Sequence, residues 1–144
     1  IFRETLALLS MDNKDKKGTV LIVEDDMLLS LVEERMIVRL GYRVVGKAVS
    51  GEEASEKVKN LRPDVIVMDI SLKGQLDGIE TMNKIKNFSD VPVIYLSGNS
   101  YKHNMQRARK TSFIDYLIKP VTVEELEPPL QKAMNSDFVT SSAG

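Results

Sequence analysis

Asp64-Val65-Ile66-Val67-Met68-Asp69 is the stretch on which the fold turns. Four apolar residues, two of them β-branched valines, lie between two acids, the pattern of a short strand buried on both faces. The second acid must emerge at the strand's C-terminal end. In an open parallel α/β sheet that is where ligands bind, so Asp69 is the first candidate for chemistry.

Upstream, Thr19-Val20-Leu21-Ile22-Val23 is a second apolar run, and it ends in Glu24-Asp25-Asp26. Leu28, Val32, Met36 and Leu40 recur at four-residue spacing with Glu33, Glu34, Arg35 and Arg39 interleaved, which predicts an amphipathic helix closed by Gly41. Tyr42 to Val49 reads as a second strand. A helix from about Gly51 follows, with Ala54, Val58 and Leu61 on one face and Pro63 at its end. Downstream of Asp69, Ile70 to Gly78 is a loop and Ile79, Met82 and Ile85 mark a third helix. Val91 to Ser97 is a fourth strand, and Gly98-Asn99-Ser100 leads into a helix over about Tyr101 to Lys110 whose apolar face is only Met105 and Ala108. Phe113 to Ile118 is a fifth strand, stopped by Lys119-Pro120. Thr122 and Glu125 form a capping box for the last helix, in which Pro128-Pro129 predicts a kink or a restart. Five alternating strands and helices with short connections imply an α/β fold, a doubly wound five-stranded parallel sheet with helices on both faces.

The 144 residues suit one domain, expected at 18–135, with 1–17 as an N-terminal extension or linker and 136–144 as a flexible C-terminal tail. Residues 1–10 are either the end of an upstream segment or an addition ahead of a natural start at Met11. A hydrophobic share of 42% with 28% charged residues is ordinary for a globular chain, and the net charge of -1 selects no polyanionic partner. The absence of cysteine excludes disulfides and thiolate metal sites. With neither a membrane-length apolar run nor a signal peptide, a cytoplasmic location is expected.

With strands one and three adjacent at the centre of the sheet, Glu24 and Asp25, with Asp26 as a further candidate, share one crevice with Asp69, Ser97 and Lys119. Carboxylates so close repel unless a divalent cation neutralises them, and oxygen-only ligands point to Mg²⁺. Lys119 and the Ser97 hydroxyl suit a phosphoryl group, with Asp69 as nucleophile. Bland readings stand beside these: the acid run as a helix cap, Lys-Pro as a turn, His103 as a solvated residue.

Val20-Leu21-Ile22-Val23-Glu24-Asp25-Asp26, Asp64 to Asp69, Asp77-Gly78, Leu96-Ser97-Gly98 and Tyr116-Leu117-Ile118-Lys119-Pro120 together closely resemble the receiver domain of two-component response regulators, over Thr19 to about Asn135. The resemblance implies a flavodoxin-like (βα)5 fold with strand order 2-1-3-4-5. It also implies that Asp69 accepts a phosphoryl group from a sensor histidine kinase or a phosphotransfer protein. Asp25, Asp69 and the main-chain carbonyl of Ser71 would bind Mg²⁺ or Mn²⁺, with Glu24 helping through water. Lys119 would pair with the phosphate, Ser97 would move to hydrogen-bond it, Tyr116 would turn inward as an aromatic switch, and the bond before Pro120 would be cis. Many relatives dimerise through the fourth helix, fifth strand and fifth helix, and Pro128-Pro129 stands against that arrangement here. Two further departures are a longer, freer loop at Lys73-Gly74-Gln75-Leu76 and Thr111-Ser112 where a Gly-Ala pair is usual.

Two other classes fit the residues less well. A constitutive binding module would have no need of a complete pocket. A phosphatase of the haloacid dehalogenase type would carry a second Asp where Ser71 stands, and a flavin or nucleotide carrier would not put three acids after strand one. The basic set Lys102, Arg107, Arg109 and Lys110 reads as a solvated face, and neither it nor any motif points to nucleic acid or membrane.

Overall fold

The central apolar run is strand β3 (Val65–Asp69), and all five of its residues are buried. A computed structural model describes residues 17–98 and 104–135. The expectations for residues 1–16, for Asn99, Lys102 and His103, and for the tail after Asn135 fall outside the described residues. The remaining elements follow in strict alternation: β1 (Thr19–Val23), α1 (Met27–Arg39), β2 (Arg43–Ala48), α2 (Gly51–Leu61), then after β3 α3 (Gly78–Ile85), β4 (Val93–Ser97), α4 (Met105–Arg109), β5 (Asp115–Ile118) and α5 (Val123–Met134). The strands form one sheet in the order β2-β1-β3-β4-β5, every pairing parallel.

Side chains of a strand alternate between the two faces of a sheet. Val65 and Val67 accordingly enter one core with Ile37 of α1 and Leu126 and Leu130 of α5, while Ile66 and Met68 enter another with Val58 of α2 and Ile79 and Met82 of α3. Burial on both faces is why the run reads as continuously apolar, and each such side chain contributes about 1.5–3 kcal/mol.

The helix ends follow local chemistry. Gly41 takes φ +100 just beyond α1, the left-handed position that ends helices. Arg62 caps α2 with φ 47, because the residue ahead of Pro63 is kept out of the helical region. Thr122 and Glu125 make both bonds of the capping box at α5.

Four expectations need correction. In α1 only the second half of the four-spaced stripe faces the core: Met36 and Leu40 pack against it, but Leu28 is 69% exposed and Val32 44%, and the buried residues are Ser30, Glu33 and Ile37. Glu33, on the inward side of the second turn, meets Glu24 of the acidic crevice rather than the apolar core. Leu61 is likewise exposed, being the last residue of α2. Of the kink or restart expected at Pro128-Pro129, the restart does not occur, and α5 is one helix of 12 residues. The two missing N–H groups leave the carbonyls of Glu124 and Glu125 unpaired within the helix, and both residues are exposed, so water can satisfy them. The fourth helix, as described, is only Met105–Arg109.

Thr111-Ser112 shapes the turn into β5. Ser112 adopts φ 54, which a glycine would reach without strain, and the buried Thr111 hydroxyl bonds the Ala108 carbonyl at 2.6 Å and the Tyr95 hydroxyl at 2.7 Å.

Candidate functional site

Strands β1 and β3 pair with Val23 opposite Met68, so the next residue of each, Glu24 and Asp69, leaves the sheet beside the other. Carboxylate oxygens of Glu24, Asp25 and Asp69 all lie within 4.8 Å of one another. Glu24 and Asp69 are buried and Asp25 is half-buried. Lys119 comes from the end of β5, two strands away from β3. Its Nζ is 2.8 Å from Glu24 Oε1 and 3.1 Å from Asp69 Oδ1, bridging the two buried acids. The Lys119–Pro120 bond is cis.

Backbone bonds fix the rest of the crevice. The Ser71 N–H donates to Asp69 Oδ1 at 2.9 Å, and the Lys73 N–H donates to Asp25 Oδ2 at 2.9 Å. The loop after Asp69 is thus tied to both acids. Gly78 closes it, because a Cβ there would collide with the Asp69 carbonyl oxygen and with Ile70 Cα. Ser97 ends β4 fully buried, one residue past the Leu96 that pairs with Asp69, and its carbonyl accepts from the Lys119 N–H at 2.8 Å. Tyr116 points inward, 5% exposed, with ring centroids 6.4 Å from Tyr95 and 6.2 Å from Phe113.

Asp26 does not join the cluster. Its Oδ1 accepts from the N–H groups of Leu28 and Leu29, both at 3.0 Å, which makes it the N-cap of α1. The capping reading was right for this one acid of the three. Glu33, in turn, reads in the sequence as part of a polar helix face. It is 4% exposed and its carboxyl meets that of Glu24. The sequence signal was its spacing, three residues after Ser30 and four before Ile37, which marks one side of the helix.

Burial raises Glu24, a shift opposed by the Lys119 bond and reinforced by the Asp69 charge. Burial alone would lower Lys119, but the bond to Glu24 and the charge of Asp69 outweigh it and leave the ammonium raised. Glu33 is pushed up to about 8 by burial first and by Glu24 second. The carboxylates of Glu24, Asp25 and Asp69, with the Glu33 carboxyl behind Glu24, therefore stand against one ammonium, and all but Asp25 of the four acids are buried. An oxygen-only donor set with surplus negative charge fits a hard divalent cation.

Residues 20–131 match the response regulator receiver domain family. The chain belongs to that family. Receiver domains are regulatory phosphoacceptor modules, and this one has their fold and acidic crevice. Among relatives, the Transcriptional regulatory protein PdtaR of Mycobacterium tuberculosis is 32% identical over 116 residues, 81% of this chain but only 56% of its own length. This chain thus spans a little over half of that relative. The Chemotaxis protein CheY of Thermotoga maritima is 31% identical over 114 residues, 78% of this chain and 94% of its own. Among solved structures, the receiver domain of a sensor histidine kinase from Pseudomonas aeruginosa, with a magnesium ion coordinated in its active site cleft, is 32% identical at a TM-score of 0.74, covering 83% of this chain and 98% of that one. No helix among the described residues is long and apolar enough to cross a membrane.

Proposed function

We propose that residues 18–135 form the signalling unit and that Asp69 is the residue that takes the phosphoryl group, from a histidine kinase or a phosphotransfer protein. The observation that carries this reading is Lys119, whose ammonium lies 3.1 Å from Asp69 Oδ1 in a crevice with two further carboxylates. Asp25 and Asp69, the main-chain carbonyl of Ser71 and, through water, Glu24 would hold Mg²⁺ or Mn²⁺. When bound, the cation neutralises charge between the carboxylates and the phosphoryl oxygens.

An Asp69 carboxylate oxygen forms the new bond to phosphorus as the phosphorus–nitrogen bond of the donor phosphohistidine breaks, and the electron pair stays with the imidazole. Lys119, now bridging Glu24 and Asp69, follows the charge outward to a phosphoryl oxygen. The Ser97 hydroxyl at the end of the neighbouring strand donates to another. Its movement frees or fills space beside the buried Tyr116 ring, which carries the change toward the outer face. At the entrance, Met27 is 75% exposed and Leu28 69%, an apolar rim at the start of α1 on which a donor protein can settle.

Incubation with Mg²⁺ and acetyl phosphate is expected to add one acid-labile phosphoryl group per chain, with no gain in Asp69→Asn. An unchanged mass for the wild-type chain, or the same gain in Asp69→Asn, would overturn the assignment.

A further inference from the structure

The loop that leaves Asp69 ends at Asp77, and Asp77 does two things. Its Oδ1 caps α3, bonding the Glu80 N–H at 2.8 Å, and its Oδ2 forms a 2.7 Å ion pair with Arg107 of α4. Arg107 also bonds Asn104 Oδ1 at 3.2 Å, and Asn104 is 7% exposed at the head of α4. That helix is short, five residues with no side-chain cap at its N-terminus, and besides this pair it is held by the buried Ala108, the partly buried Met105 and the Thr111 hydroxyl on the Ala108 carbonyl. The other end of the same loop bonds Asp69 itself through the Ser71 N–H.

We propose that the Asp77–Arg107 pair is a latch that ties the Asp69 loop to α4, so that α4 rests in one position until the charge on Asp69 changes. The loop is the shared part. A phosphoryl group on Asp69 competes for the oxygen that the Ser71 N–H now holds, and a loop that shifts at Ser71 draws on Asp77 at its far end and hence on Arg107. Partly exposed ion pairs are worth little, with side-chain exposures here of 45% and 27%, so the latch biases two arrangements rather than locking one.

The inference rests on the phosphoacceptor reading, and its test separates the two. Arg107→Gln removes the pair, and Asp77→Asn removes the charge while keeping a good helix cap. Each is expected to raise the rate of Asp69 phosphorylation by acetyl phosphate about two- to fivefold and to speed amide exchange in α4 before phosphorylation. The double variant should be no faster than either single one, and Arg107→Lys should stay near wild type. Wild-type rates and exchange in both single variants, or effects that multiply in the double, would overturn the latch. Should the wild-type chain take no phosphoryl group, the phosphoacceptor reading fails. The latch is then judged on exchange in α4 alone, where faster exchange in Arg107→Gln supports it and unchanged exchange overturns it.

Discussion

Burial holds the Glu33 carboxyl at a pKa of about 8, against 4.5 for the free group, with the charge and hydrogen bond of Glu24 adding to the effect. Between those two values the folded chain keeps a proton that the unfolded chain has released. Raising the pH through that window therefore favours unfolding, by at most about 1.4 kcal/mol per pH unit. Glu33→Gln, which carries no titrating proton, is expected to flatten the fall in stability between pH 5 and pH 8. Denaturant unfolding of both proteins without metal measures it, and parallel pH profiles would contradict it. At this scale the sequence showed Glu24, Asp25, Asp69, Ser97 and Lys119 as strand-end residues, because each closes an apolar run. Glu33 reads as part of the polar face, and Asp26 stays open between crevice and cap. Which acid caps a helix and which turns inward depends on the angle at which α1 sits, and residue types alone do not set that angle.

Helix α5 shows an element tolerating what its sequence argues against. Pro128 is its sixth residue, exposed, and removes the donor that would bond the Glu124 carbonyl. An interior proline costs about 3 kcal/mol relative to alanine, and its stiffening of the unfolded chain returns about 0.4–1. Pro128→Ala is therefore expected to stabilise the domain by about 2 kcal/mol, read as a higher unfolding midpoint at unchanged m-value. A loss of stability would show that the ring does more than interrupt the ladder. The helix survives because Leu126, Leu130 and Ala133 anchor it in the core and its capping box fixes the first turn. The capping signal at Thr122–Glu125 was legible, since the partners lie three residues apart, whereas the box at Asp77–Glu80 emerges only in the structure. The azimuth of α1 was not legible either, because its apolar residues cover more than one side and the exposed Met27, Leu28, Leu31 and Val32 compete with the buried stripe.

At the level of the whole molecule, alternation of strands and helices predicted a parallel doubly wound sheet, and the structure has one. The order β2-β1-β3-β4-β5 came from the family likeness, because nothing in an apolar strand names its neighbours. That order brings the ends of β1, β3, β4 and β5 to one edge, where three carboxylates gather around one ammonium. A divalent cation should then stabilise the fold as a ligand bound only by the native state, by about 2.7 kcal/mol at a hundred times its dissociation constant. Thermal unfolding with and without Mg²⁺ is expected to show this shift in the wild-type chain and lose most of it in Asp25→Asn; equal shifts in both would place the cation elsewhere. The central claim is the bond between phosphorus and one particular oxygen. Treating the chain with acetyl phosphate and Mg²⁺, reducing it with borohydride and mapping its peptides should yield homoserine at position 69 and at no other acid. Homoserine at position 25 or 26, or at none, would contradict the account.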